Sequence, residues 1–168
     1  MADLFRITTQ FLHVFAGILW IGGGVYSAFV QLPAVLAAPP AARGAVMAQL
    51  GPRQVRYLLR SAEVTIATGV LNLFATNRAQ QLTDPLGSRW AIVLLLGILL
   101  AIGLYVLLRT AVAPRVAQML SLGPKAAGGD AAAAAEVAQI VTRLRTLGFV
   151  QVGIGVLIIL AMVTARLS

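Results

Sequence analysis

The sequence contains no cysteine and only one histidine, His13. The lack of cysteine excludes disulfide bonds, thiolate metal sites and cysteine nucleophiles. Charged residues are also scarce, at 11% of the 168 residues, whereas hydrophobic residues make up 60%. Soluble domains carry about 25% charged residues. The composition therefore indicates a single-domain, multi-pass membrane protein that is surrounded by a lipid bilayer.

Acidic residues are the scarcest charged class, with five against thirteen basic residues and a formal net charge of +8. The basic residues lie in loops between apolar segments, where the positive-inside bias of membrane proteins explains them without a nucleic-acid partner. The chain also lacks a phosphate-binding loop, a zinc motif, a hydrolase triad and a nucleic-acid-binding module. We therefore expect no nucleic acid among its partners.

Four long segments of the chain are apolar and almost free of charge. About 20 apolar residues suffice for a helix to cross the bilayer core. We predict an all-α, integral membrane four-helix bundle with spans at about 10–33, 55–76, 88–109 and 146–165. Helical extensions at about 110–145 should lie in the cytoplasm. The alternative for the first segment, a secretory signal peptide with cleavage near AVLAA, fits poorly because the apolar run is too long.

Local signals predict where these helices begin and end. We expect residues 1–10 to be a polar lead-in and residues 37–52 to be a loop with one amphipathic turn. Proline is tolerated in the first turn of a helix, so Pro52 should lie at the start of the second span.

The third and fourth spans carry signals of the same kind. Asp84 followed by Pro85 predicts a helix start with Asp84 as N-cap. Pro114 predicts a bend in the continuation of the third span. Residues 123–129 read as a linker, after which Asp130 should cap the last helix.

The orientation in the membrane follows from the distribution of arginine and lysine. The termini and the loop between spans two and three hold four of the thirteen basic residues: Arg6, Arg78, Arg89 and Arg166. The other two loops and the adjoining helix ends hold the remaining nine. The positive-inside rule places the second group in the cytoplasm and both termini outside. We expect the protein to lie in the inner (cytoplasmic) membrane of a cell.

The first span has two contrasting faces. Helical spacing brings a polar and small-residue set onto one face; its members are His13, Gly17, Trp20, Gly24 and Gln31. Small residues on this face leave room for a macrocycle or a neighbouring helix. The opposite face suits lipid, and it consists of Leu12, Phe15, Ile18, Leu19 and Val25.

His13 is the leading candidate for chemistry, because an ionisable residue inside a membrane is costly and indicates function by default. An imidazole in a helical bundle can be the axial ligand of haem b. Copper is an alternative metal for imidazole and thioether ligands. The other interpretation is a neutral core histidine that is hydrogen-bonded to a serine, a threonine or a backbone carbonyl of a neighbouring helix.

Further residues could complete a haem site around His13. Met162 should lie at a similar depth and is the candidate second metal ligand; its alternative role is packing. A five-coordinate haem, or one shared between two subunits, also stays open. Arg78 and Arg89 flank the outer loop and could pair with haem propionates or contact lipid headgroups.

Glu63 is the one acidic residue within the second span. Arg60 lies three residues earlier, which predicts a local ion pair at the cytoplasmic boundary. A proton relay or a cation site is the alternative. The same span carries a small polar stripe that should face other helices, made of Ser61, Thr65, Thr68 and Asn72.

The string LHVFAGILWIGGGVYSAFVQLPAV in the first span resembles the membrane domain of copper-resistance D (CopD) proteins and their relatives, which include HemJ-type protoporphyrinogen oxidases. The shared pattern is His13 near the start of a span, followed by Trp20, Gly22 and Gly23. Tyr26, six residues after the tryptophan, also resembles the HemJ type. The strings TGVLNLF and RLRTLGFVQVGIGVLIIL in spans two and four are similar to the same superfamily.

The resemblance implies a function for His13. The corresponding histidine binds haem b in the HemJ branch, which also has an important lysine in a later span. The only lysine here, Lys125, lies in a loop, so the resemblance implies haem binding without implying the oxidase activity. The CopD branch implies copper transport or resistance.

From the residues and the resemblance together we expect a membrane b-type haem protein in electron transfer or haem-linked oxidation. It could act as a homodimer or with a membrane-complex partner. The alternatives are a copper transport or resistance protein and a non-catalytic accessory subunit of a larger membrane complex.

Overall fold

A computed structural model describes residues 2–76, 79–84 and 87–167 of the chain. These residues contain helices and short connections, and no strand. Four helical segments are long and apolar enough to cross a membrane: Asp3–Ala37, Ala42–Ala75, Arg89–Ala127 and Ala131–Leu167. The predicted all-α four-helix bundle is confirmed, and the chain is a multi-pass membrane protein.

Two of the four long helices contain a wider, π-helical turn. In chain order, the first long helix consists of α1 (Ala2–Tyr26), the π turn Ser27–Gln31 and α2 (Leu32–Ala37). The second long helix is α3 (Pro40–Ala75), and a 3₁₀ turn follows it at Ala79–Leu82. The third consists of α4 (Arg89–Leu107), the π turn Leu108–Val112 and α5 (Ala113–Ala127), and the fourth is α6 (Ala131–Leu167).

The bundle is built from two main helix pairs. Helix α1 packs chiefly against α3, and α4 packs chiefly against α6, while α5 contacts both α6 and α3. Trp20 is only 3% exposed and lies among apolar side chains of the other helices, namely Leu58, Leu59, Ala62, Leu104, Leu108 and Ile158. The tryptophan of the first span is therefore the centre of the core.

The predicted lipid face of the first span is largely confirmed. Leu12, Phe15 and Ile18 are exposed on the outside of the bundle, whereas Leu19 and Val25 are half-buried. Exposed apolar side chains at these positions suit contact with acyl chains, since lipid solvates them as well as protein does.

Each π turn is followed, after one residue, by a proline. Leu32 N–H bonds to the Ser27 carbonyl ahead of Pro33, and Ala113 N–H bonds to the Leu108 carbonyl ahead of Pro114. A proline ring inside an α-helix clashes with the carbonyl four residues earlier and removes one donor. The wider turn gives the ring space, so the first helix continues past Pro33 to Ala37, and the predicted bend at Pro114 is a π turn.

The predicted polar lead-in at residues 1–10 and most of the predicted loop at residues 37–52 are helical, which corrects the sequence-based boundaries. Helix α1 already begins at Ala2, where Asp3 and Arg6 form a salt bridge of 3.6 Å. Helix α3 begins at Pro40 and contains Pro52 in its interior. Gly51 beside it is buried, and a Cβ built there would lie 3.0 Å from Val116 Cγ1. The packing of α3 against α5 thus offsets the hydrogen bond that Pro52 cannot make.

The start of the third helix also differs from the prediction. Ser88, rather than Asp84, is the N-cap of α4, and its Oγ accepts the Ala91 N–H at 3.1 Å. Pro85 lies outside the described residues. The linker prediction is correct only for its last two residues, because α5 extends to Ala127.

The turn into the last helix is as the sequence predicts. Gly129 has φ of +93°, a left-handed conformation that glycine adopts without strain. Asp130 Oδ1 then accepts the Ala133 N–H at 3.0 Å, so Asp130 caps α6.

Candidate functional site at His13

The His13 ring lies between α1 and α3 and is half-buried. Its Nδ1 atom is 2.8 Å from the Thr65 carbonyl oxygen. A carbonyl oxygen only accepts hydrogen bonds, so Nδ1 carries the proton and donates it. In a neutral imidazole Nε2 then holds a free lone pair, which is the atom that can bind a metal or accept a hydrogen bond.

Both threonines of the α3 polar stripe hydrogen-bond back to their own helix. Thr65 Oγ1 donates to the Ser61 carbonyl at 2.7 Å, and Thr68 Oγ1 donates to the Val64 carbonyl at 2.6 Å. The stripe faces α1, as predicted, but it contacts His13 through a main-chain carbonyl.

Gly69 provides the space for the imidazole. A Cβ atom at this position would lie 2.9 Å from His13 Cε1 and 3.1 Å from His13 Nδ1, closer than side chains tolerate. None of the sequence patterns above singles out Gly69. Its signal is the four-residue spacing from Thr65, which places a residue without a side chain on the face of the polar stripe.

The polar contacts continue one turn beyond His13. Asn72 Nδ2 donates to Gln10 Oε1 at 2.6 Å. Asn72 Oδ1 is buried and has no hydrogen-bond partner among the described residues. A buried acceptor without a partner is rare in proteins, so this end of the α1–α3 pair has unused capacity to accept a hydrogen bond.

Gln31, predicted on the His13 face, belongs to a separate network near the opposite end of α1. Its Nε2 donates to Gln54 Oε1, and Gln54 Nε2 donates to Ser27 Oγ. Ser27 Oγ in turn donates to the Gly23 carbonyl at 2.7 Å. These groups satisfy one another beside the first π turn and tie it to α3.

The predicted room beside Trp20 is small. Trp20 and Gly24 line a cavity of about 10 Å³ together with residues of α3, α4 and α6, which is about the volume that one water needs. Gly17 lies against α3, where a Cβ would be 3.7 Å from Thr65 Cγ2. Gly17 is therefore the predicted small residue that lies nearest the His13–Thr65 contact, whereas Trp20 belongs to the core.

The depth of Met162 relative to His13 stays a prediction. A Cβ atom at Gly148 of α6 would lie 3.6 Å from Ala28 Cβ in the first π turn, and one at Gly155 would lie 2.9 Å from Ile21 Cγ2 in α1. Continued by seven more residues, this antiparallel register would bring Met162 to the level of Val14, next to His13 in the sequence. The Met162 thioether packs against Gly97 of α4. Ligation by Met162 stays a prediction and requires this side chain to leave Gly97.

Of the two arginines predicted at the outer loop, the structure describes only Arg89. Arg89 is the first residue of α4 and is exposed. Arg78 lies outside the described residues. Their contact with haem propionates stays a prediction.

The ion pair predicted in the second span is present. Arg60 Nη1 lies 3.0 Å from Glu63 Oε2, and Tyr105 OH donates to Glu63 Oε1 at 3.3 Å. Both carboxylate oxygens thus have partners, which favours the structural interpretation of Glu63.

The part of the chain that the structure describes contains no group of three or more histidine, cysteine, aspartate or glutamate residues close enough to hold a metal ion. His13 stands alone as a strong metal-binding side chain. No protein-family model, curated protein or solved structure matches the chain.

Proposed function

We propose that the protein is a b-type haem protein of the inner (cytoplasmic) membrane, in which His13 is an axial ligand of the iron. It would serve electron transfer or haem-linked oxidation. The observation that carries this proposal is the hydrogen bond between His13 Nδ1 and the Thr65 carbonyl. Metal-binding histidines use such a bond to fix the ring and to direct the other nitrogen at the metal.

The isolation of His13 favours haem over a bare metal ion. A porphyrin supplies four nitrogen ligands itself, so the protein needs to add only one or two. A copper or zinc ion takes most of its ligands from protein side chains, and the described residues offer no cluster of them. The HemJ branch of the resemblance in the first span supports the same assignment, whereas its CopD branch implies copper.

The residues around His13 would orient the ligand rather than react. The Thr65 carbonyl holds the proton on Nδ1, and Gly69 leaves the space that the ring occupies beside α3. His13 is half-exposed, so a ligand can approach the ring from outside the bundle rather than through the water-sized cavity at Trp20. A bound haem would supply one-electron chemistry.

A visible spectrum of the purified protein tests the proposal. Protein made with haem available should show a Soret band and, after reduction, the α and β bands of a b-type haem. His13→Ala should remove these bands, because the chain has no other histidine. Leu12→Ala, at the neighbouring exposed position, is the matched control and should keep them.

Other results would decide for the alternatives. A spectral shift without haem loss in Met162→Leu would identify the sixth ligand, and an unchanged spectrum would indicate a five-coordinate or intersubunit site. Stoichiometric copper without haem would indicate a copper protein. A preparation with neither would leave His13 as a core histidine and the chain as an accessory subunit of a larger complex.

A further inference from the structure

A large cleft lies between α3 and α5, away from His13. Its volume is about 490 Å³, and its walls come from both helices and from the second π turn. Three arginines reach it, namely Arg56, Arg60 and Arg109. Ligand pockets commonly measure about 300–1,000 Å³, so this cleft has the size of a binding site.

The charges in the cleft are unbalanced. Glu63 is its one acidic residue, and both of its oxygens are engaged, by Arg60 and by Tyr105. Arg56 and Arg109 have no ion pair and no side-chain hydrogen bond within the described residues. Two guanidinium groups are therefore left to bind an anion, and guanidinium matches phosphate in a two-point geometry.

The position of the cleft along the bundle narrows the choice of anion. The charge-free run 90–108 ends at Arg109, and the charge-free run 64–77 begins directly after Glu63. Both runs thus meet the polar boundary at the level of the cleft. The arginines lie where phosphate groups of a bilayer lie, next to its hydrocarbon layer.

The remaining walls of the cleft are apolar. Val55 and Leu59 come from α3, and Val116 comes from α5, together with alanines of the same helix. The α3 residues precede Glu63 and the α5 residues follow Arg109, so these walls lie on the polar side of the boundary. They shape the cleft around a lipid headgroup, while the acyl chains of that lipid stay in the hydrocarbon layer.

We infer that this cleft binds the headgroup of an anionic glycerophospholipid, with the lipid phosphate at Arg56 and Arg109 and the acyl chains in the adjoining hydrocarbon layer beside residues 64–77 and 90–108. Basic pockets between membrane helices bind anionic headgroups elsewhere on the same physical grounds. The site is independent of the proposed haem site.

Lipid retention by the full-length protein tests the inference. The protein is purified in mild detergent, exposed to equal amounts of phosphatidylglycerol and phosphatidylcholine, and analysed for bound lipid by native mass spectrometry. We expect selective retention of phosphatidylglycerol. Removing both charges in Arg56→Gln/Arg109→Gln should weaken that retention about 25-fold, since each arginine that contacts the phosphate contributes about a fivefold preference for anionic lipid.

Two further variants separate the cleft from general charge and from folding. Lys125→Gln/Arg143→Gln removes the same charge at exposed positions outside the cleft and should keep retention within about twofold of wild type. Ala117→Trp fills the apolar wall without a change of charge and should also reduce retention. Circular dichroism verifies that each variant keeps its helical content.

Three outcomes would overturn the inference. The first is equal retention of both lipids by the wild type, and the second is an equal loss of retention in Arg56→Gln/Arg109→Gln and in Lys125→Gln/Arg143→Gln. The third is displacement of the lipid by millimolar inorganic phosphate. The last result would mean that the cleft recognises phosphate alone.

Discussion

The position of the His13 ring depends on how closely two backbones approach. Its partner is the Thr65 carbonyl, and the ring occupies the space where Gly69 lacks a side chain. Replacement of the threonine side chain would leave that carbonyl in place. The glycine is therefore the residue at which a substitution reaches the imidazole most directly.

We predict that Gly69→Ala displaces His13 and lowers the free energy of unfolding by about 1–3 kcal/mol, the usual cost of overpacking. The added methyl group would lie 2.9 Å from His13 Cε1. If His13 binds haem, the Soret band should shift or weaken as well. Thermal unfolding and the visible spectrum measure both effects.

Gly22→Ala is the control for this change, since a Cβ at Gly22 has no atom within 4 Å. It should stay within about 0.5 kcal/mol of wild type, as surface substitutions do. Equal stability of the two variants would contradict the prediction, because it would show that the His13 ring can move away from residue 69 without a loss of stability.

The sequence predicted which side chains face the bundle at this site but not what they touch. The spacing placed His13 and Gly17 on one face of the first span and predicted that the Ser61–Asn72 stripe faces other helices; the structure adds that the two lie against each other. The sequence could not identify the Thr65 carbonyl as the partner of His13, because every residue has a carbonyl group. Only the register of α1 on α3 determines which carbonyl lies beside the ring. The room expected beside Trp20 was overestimated, since the side chains of α3 and α4 fill that space.

At the scale of helices, the four apolar runs predicted four membrane-spanning helices, whereas the helix boundaries predicted from prolines were wrong. Pro33, Pro52 and Pro114 all lie inside long helical segments. Two of them are accommodated by a preceding π turn and one by the packing of Gly51 against α5. These solutions depend on tertiary contacts, so a local rule for proline could not supply them.

Glycines set the distance between α1 and α6, and this gives an element-scale prediction. A Cβ at Gly155 would lie 2.9 Å from Ile21 Cγ2, whereas a Cβ at Gly153 of the same helix has no atom within 4 Å. Gly155→Leu should push the helices apart and lower the unfolding temperature, because membrane helices associate by close packing. Gly153→Leu should be mild.

Size-exclusion chromatography after stepwise heating measures the difference between these two variants. Aggregation at a lower temperature for Gly155→Leu alone is the expected result. The same behaviour for both would mean that the exposed face of α6 near Gly153 is also covered, for instance by a second copy of the chain.

At the scale of the whole molecule, charge is segregated along the bundle axis. The helix ends at the α2–α3 and α5–α6 connections carry most of the arginines, including those of the cleft, while His13 lies in the half of the bundle nearer the termini. A metal ligand at one end and an anion-binding cleft at the other would therefore face opposite sides of the membrane.

The last prediction is the direction of this axis. Nine of the thirteen basic residues lie at the α2–α3 and α5–α6 ends of the spans, and such residues are retained in the cytoplasm during insertion. A reporter fused after Ser168 that works only outside the cytoplasm should be active, and one that works only inside should be silent. An arginine-rich tail added after Ser168 should reduce the first signal, because it lessens the charge difference. The reverse pattern in the unmodified protein would place His13 in the cytoplasmic half and the arginine cleft in the outer leaflet.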